Sequence, residues 1–284
     1  MISKAWLTGS VNWMKYRWLY LLISTVVIGS GVFAVVKWGL KLGIEFTGGV
    51  VAQYRFPDGT NKTFNYPPLN ETAVQKIRQD FKDQKAEEIR LESVGPSIGP
   101  DLIRKTVVAL LISAVGIFLW VAIQFKSFKF GISAILGMFH DSAVLIGSYS
   151  LLGHFFGAEI DFLFVTALLT ILSFSVHDTI VNYDRIRESQ KKIGGELIDL
   201  ANKSTSDTMV RSLNNSFTII FMLVALILLG GETIKWFAVA LLIGTVSGTY
   251  SSPFVSVAIL VTWDELEKKI KAKGSLLKFL KLAK

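Results

Sequence analysis

The stretch Ile160 to Glu188, IDFLFVTALLTILSFSVHDTIVNYDRIRE, sets the strictest limit on how this chain can fold, because it places an ionisable pair inside an apolar run. From Ile160 to Tyr183 it is long enough to cross a bilayer, since a helix rising ~1.5 Å per residue needs roughly 20 residues for a ~30 Å core. His177 and Asp178 sit about five or six residues before its end, which puts Asp178 roughly 8 Å inside the boundary. A carboxylate at that depth is costly and must face protein or water, not lipid. Ser175 and Asn182 fall within about 60° of Asp178 on a 3.6-residue helix, so a small polar stripe is expected on a greasy rod. The charged DRIRE marks the return to water.

Composition extends this to the whole chain. Apolar residues make up 51% and charged residues 18%, with a mean hydropathy of +0.48; soluble domains carry ~25% charge. The class is an integral membrane protein. The net charge of +8 gathers at the ends of apolar runs and in the tail Lys268 to Lys284, which is the pattern of membrane topology and anionic lipid, not of a nucleic-acid groove. With no cysteine, disulfides, thiolate metal sites and a cysteine nucleophile are excluded. His140, His154 and His177 form neither HExxH nor an i,i+4 pair, so no metal or other cofactor is expected.

Taken in order, residues 1–17 carry Lys4, Lys15 and Arg17 with Trp6 and Trp13, an interfacial cytoplasmic segment before the first span, 18–36. It reads as an uncleaved anchor, since no small-residue cleavage pattern follows. Residues 37–103 change to mixed charged sequence with turn residues and are the one sizeable extramembrane domain. There GIEFTGGVVAQYRF reads as a strand ended by Pro57-Asp58-Gly59, with Lys62 to Tyr66 as hairpin partner. Asn70 to Phe81 predicts an Asn-capped helix, and Ala86 to Val94 a returning strand. The resulting α+β sheet is expected to be covered on one face by the helix. Residues 95–100, GPSIGP, read as a hinge before Asp101. Residues 104–263 then hold helices two to six, at about 102–125, 130–152, 160–183, 214–229 and 234–261, followed by a basic tail, 264–284. Counting Lys and Arg puts both termini, the 126–129 loop and the 184–211 loop in the cytoplasm and residues 37–103 outside; Arg104 and Lys105 vote the other way. The fold class is therefore six transmembrane helices with one small α+β domain between helices 1 and 2.

Several constellations carry chemistry. Asp141 in GMFHDSAVLIGSYS lies roughly 15 Å deep at helical rise, and Ala134, Gly137 and Ser148 share its face as a close-packing seam. It reads either as a structural acid bonded to a hydroxyl or as a functional one. His177 points about 100° from Asp178, with packing and proton traffic both open to it. Arg211 opens VRSLNNSFTII, with Asn214, Asn215 and Thr218 on its face. It either snorkels or serves as counter-charge to Asp178. Gly244, Gly248 and Ser252 recur every four residues as a helix-packing seam, and Pro253 should kink that helix. GIEFTGG lacks the Lys-Ser/Thr of a phosphate loop.

The same residues carry a resemblance. GIEFTGG after the first span, VGPSIG before the second, HDS in the third, SFSVHDTIVNYDRIRE at the fourth and SGTYSS in the sixth resemble the SecD/SecF family of protein-export membrane subunits, over nearly the whole chain. The resemblance implies a member of the resistance-nodulation-division superfamily in the bacterial inner membrane. Implied partners are SecD, the SecY/SecE/SecG channel, a translocating preprotein and membrane lipids, with YajC and YidC as further candidates. It implies no enzyme activity; protons are the coupling ion. The family's motif residues fall on Gly43, Glu45, Phe46, Gly48 and Gly49, and its proton-path aspartate and arginine on Asp178 and Arg211. Glu45 stands where the family has Asp, His177 where it has Asn, and VNYDR where it has VVFDR.

On this reading protonation of Asp178 relaxes its contact with span five, and the 95–100 linker transmits the motion outward. Two other classes fit parts of the sequence: half of a proton-coupled lipid or drug exporter of the same superfamily, or an intramembrane aspartyl protease using Asp141 and Asp178. The half-size of the chain argues for a partner of equal size.

Overall fold

The computed structural model describes residues 11–95 and 98–282. Lys4 and Trp6, and Pro96 and Ser97 of the expected hinge, lie outside them. A 3₁₀ turn, Trp13–Tyr16, leads into α1, Arg17–Trp38. A four-residue helix α2, Ile44–Thr47, precedes β1, Gly49–Arg55, β2, Asn61–Tyr66, α3, Glu71–Asp83, and β3, Glu87–Val94. The long helices are α4, Ile98–Phe125, α5, Phe128–Phe156, α6, Phe162–Lys192, α7, Leu197–Leu229, and α8, Glu232–Ser251, which passes through a π turn, Ser252–Ser256, into α9, Val257–Leu282. Among the described residues, six helical segments are long and apolar enough to cross a membrane.

Burial sorts them into two layers. About half of each apolar window in α5, α6 and the α8–α9 rod is buried, against 6 to 17% in α1, α4 and α7. Small residues bring the inner helices together, as expected where backbones must approach closely in lipid. A Cβ on Gly244 would lie 2.2 Å from Ile171 Cδ1, and one on Gly137 1.9 Å from Ser256 Oγ. Pro253 sits inside the π turn; proline has no N–H to donate and its ring clashes with the carbonyl four residues back, and the wider turn relieves both.

The outer domain is a three-stranded antiparallel sheet of order β2-β1-β3. Asn70 caps α3, its Oδ1 accepting from Ala73 N at 2.9 Å. Helix α3 covers one sheet face, where Tyr54 and Phe81 stack at 4.2 Å over a cluster with Ala52, Phe64 and Leu91.

Three expectations need correction. The strand expected from Gly43 starts only at Gly49: Gly43 to Gly48 form the capped turn α2, and Phe46 plugs into the membrane core with Leu145, Tyr149 and Phe164. Of the hinge expected at 95–100, residues 98–100 are helical, since α4 begins at Ile98. Its Gly99 packs so tightly on α2 that a Cβ there would lie 2.0 Å from Phe46 O. The 184–211 loop is mostly helix, because charges beyond Tyr183 pair and so let α6 and α7 project into water: Arg185 with Glu188 at 2.7 Å and Asp207 at 2.8 Å. Only residues 193–196 separate the two helices.

Candidate functional site

The two membrane acids occupy separate sites. Asp141 is wholly buried at the crossing of α5, α6 and α8. Its Oδ2 accepts from Ser175 Oγ at 2.5 Å and Ser251 Oγ at 2.7 Å. Its Oδ1 accepts from Ser247 Oγ at 2.6 Å and lies 3.0 Å from His140 Nδ1. A carboxyl group surrounded by donors from three helices is what a buried acid requires. The sequence forces the geometry: Gly248, whose Cβ would lie 3.4 Å from Ser175 Cβ, lets α8 approach α6 until Ser247 and Ser251 reach the acid. Ser252 faces α6 instead, donating to Ser175 O at 3.0 Å and accepting from Thr179 Oγ1 at 3.0 Å.

Asp178 is half-buried between α6 and α7, and its Oδ2 accepts from Ser212 Oγ at 2.5 Å. The expected polar stripe does not act together: Ser175 serves Asp141, and Asn182 accepts from Ser204 Oγ at 2.7 Å. Arg211 is exposed and, among the described residues, makes no hydrogen bond or ion pair within 4.0 Å, so its charge acts on Asp178 only through space. His177 is exposed too, as are Asn214, Asn215 and Thr218, leaving a polar face on the outside of α6 and α7. Asp141 and Asp178 share no hydrogen bond, which removes the geometric basis of an aspartyl dyad.

The GIEFTGG residues join the sheet to the bundle. Gly43 N donates to Ile160 O at 2.8 Å, and Ile160 N to Lys41 O at 2.7 Å. Gly48 and Gly49 take φ of +73° and +135°, and a Cβ on Gly49 would lie 2.7 Å from Tyr66 O. These are positions for glycine. Glu45 enters a polar cavity of about 200 Å³ beneath the second sheet face, with Arg90, Gln53, Glu159, Asp161 and Trp236. Burial holds the Glu45 and Asp161 carboxyls above the usual range, while Arg90, 3.8 Å from Glu45, opposes the shift at both.

Sequence reasoning placed Asp141, Asp178 and the glycine seam but missed Ser247, Ser251, Ser212 and His140 as partners of the acids. The signal was present: Ser247 and Ser251 stand at i,i+4 flanking Gly248, and one face of a packing seam can carry donors.

A family model described as "Protein export membrane protein SecD/SecF, C-terminal" matches residues 73–266. The protein translocase subunit SecF of Thermobaculum terrenum is 38% identical over 89% of this chain and 94% of its own length. That of Anaerolinea thermophila is 32% identical over 90% and 95%. A crystal structure of SecDF from Thermus thermophilus superposes with a TM-score of 0.82 at 31% identity, over 90% of this chain. The chain spans 39% of that longer SecDF chain. With six apolar helices, one inserted sheet domain and these relatives over nine-tenths of its length, the chain belongs to the SecD/SecF family of protein-export membrane proteins, as a non-catalytic, multi-pass SecF-type translocase subunit.

Proposed function

We propose that the chain pairs with a SecD-type half and couples inward proton movement to preprotein translocation and release outside the SecY/SecE/SecG channel. The observation that carries this is the exposed polar face of His177, Arg211, Asn214 and Asn215 beside Asp178. Lipid cannot satisfy such groups, so polar residues in membrane helices face protein or a water-filled path. A second six-helix half supplies that cover, and relatives named SecDF carry a matching region within one longer chain. With the positive charge counted as inside, both termini and the 193–196 turn are cytoplasmic and the sheet domain is periplasmic.

Asp178 is the proton carrier in this reading, Arg211 its through-space counter-charge, and His177 a second exchangeable group at the same face; Asp141 and its serines hold the helices whose crossing must shift. One proton crossing 100 mV releases ~2.3 kcal/mol, enough to bias a two-state element. Motion reaches the sheet through the α2 turn, where Gly99 abuts Phe46 and Gly43 bonds Ile160.

The test is proton-gradient-stimulated preprotein export in vesicles carrying SecY, SecE, SecG, SecD and either this chain or its Asp178→Asn form, with assembly verified in both. Loss of the stimulation is expected. Unchanged stimulation with intact assembly overturns the assignment.

A further inference from the structure

The polar cavity of about 200 Å³ beneath the second sheet face holds more negative charge than its neighbours answer. Glu45 of α2 and Glu159 and Asp161 of the α5–α6 loop line it from the membrane side, and Arg90 of β3 from the sheet. The nearby cations are already engaged: Arg90 Nη2 lies 2.7 Å from Glu92 and 3.8 Å from Glu45, and Lys41 Nζ 3.0 Å from Glu159. Among the described residues, Glu45 and Asp161 have no ion pair closer than that 3.8 Å approach; Asp161 Oδ1 instead caps α6, accepting from Phe164 N at 2.7 Å. Gln53, Thr63 and Asn65 complete the sheet side, and their side chains make no hydrogen bond among the described residues.

Partly buried carboxylates call for a cation. Among the described residues no group of three His, Asp or Glu side chains is placed to hold a metal ion, so the cavity suits an organic cation, whose N–H donors match the carboxylates and the neutral acceptors of Gln53, Thr63 and Asn65 alike. The mouth indicates where that cation comes from. Thr63 and Asn65 are exposed, and β2 is an edge strand: in the order β2-β1-β3 its other edge pairs with no strand among the described residues. An extended segment laid along such an edge takes main-chain hydrogen bonds and turns alternate side chains to one sheet face. Those beside Thr63 and Asn65 turn toward the cavity. We propose that β2 accepts an extended polypeptide segment as an added strand, with one lysine or arginine side chain seated in the cavity against Glu45 and Asp161. The occupant is the unfolded polypeptide in transit, a source that rests on the translocation function proposed for the chain; the site rests on the cavity and the free edge.

The experiment is photocrosslinking of the full chain, co-purified with its SecD-type half in nanodiscs without a proton gradient, by a ten-residue Thr/Val-rich peptide with one central lysine beside a diazirine leucine. Its norleucine counterpart is the control. The lysine peptide should label β2 and residues 157–161 at least about tenfold more than the control, the effect of one charged hydrogen bond. Glu45→Gln should reduce its labelling by a similar factor. Asn65→Trp, which blocks the mouth from an exposed position on β2, should abolish it even if Glu45→Gln disturbs α2. Equal labelling by the norleucine peptide, full labelling in Asn65→Trp, or labelling seen only when the partner half is absent overturns the proposal. Displacement by spermidine at the concentration of the peptide would make the occupant a free amine and overturns it as well. Because binding is read without a gradient, none of these outcomes bears on Asp178 as proton carrier.

Discussion

Gly147 of α5 and Gly31 of α1 meet backbone to backbone: a Cβ on Gly147 would lie 2.5 Å from Gly31 Cα. This contact fixes the outer helix α1 to the inner layer. Gly147→Ala should therefore cost about 1–3 kcal/mol through overpacking. Gly29→Ala, on the same outer helix with nothing within 4 Å of its Cβ, should be neutral or gain up to about 1 kcal/mol from helix propensity. Thermal unfolding of the two variants in one detergent checks the pair, and a smaller loss for Gly147→Ala than for Gly29→Ala refutes the contact.

The Asp141 cage makes a second contrast. Asp141→Ala strands the Ser175 and Ser247 hydroxyls and His140 Nδ1 in the core and leaves Ser251 Oγ only a 3.4 Å bond to Gly248 O, and each unmet buried group costs about 1–3 kcal/mol. Asp141→Asn keeps an acceptor and most of the shape. Asp141→Ala should fail to accumulate as a monodisperse protein, whereas Asp141→Asn should purify with a lowered melting temperature. Equal behaviour of the two would mean that the serines find other partners.

How much of this was legible in the sequence follows from which physical terms are local. Periodicity and hydropathy depend on residues close in the chain, and so the six spans, the Asn70 cap and the β2 and β3 segments could be read directly. Hydrogen bonds between helices could not: Ser175, Ser247 and Ser251 lie 34, 106 and 110 residues from Asp141. Arg211 was expected either to snorkel or to pair with Asp178. The structure leaves Arg211 exposed and gives the hydrogen bond of Asp178 to Ser212, the neighbouring residue, which a helix turns 100° away from Arg211. Gly43 to Gly48 misled as a strand because its glycines serve positive φ and close backbone approach, which local β propensity does not record.

Gly99 offers a way to separate the two domains without unfolding either. A methyl there has to displace Phe46 O, which it would meet at 2.0 Å. Gly99→Ala should lift α2 from the bundle and speed exchange of the Gly43 amide, now bonded to Ile160 O, by at least about tenfold, or ~1.4 kcal/mol. Protection within β1 should hold, since the Tyr54–Phe81 stack belongs to the sheet domain alone. Loss of protection throughout the sheet would show that the outer domain depends on the membrane face for its fold.

The same joint should respond to acid. Burial is the largest cause holding the Glu45 and Asp161 carboxyls above their ordinary range. A carboxyl raised in the docked state binds its proton more tightly there than when α2 swings free. Its contribution to docking is then complete below the ordinary carboxylate range and is lost as pH climbs through the raised values. Exchange of the Gly43 amide, corrected for its intrinsic pH dependence, should accordingly slow as the pH falls from about 7 to about 4. Glu45→Gln should flatten most of that slope, because the neutral amide no longer changes charge. Arg90→Gln should steepen it by removing the cation 3.8 Å from Glu45 that favours the charged form. A slope unchanged in Glu45→Gln would move the acid response to Asp161 alone, and a slope of opposite sign would refute it.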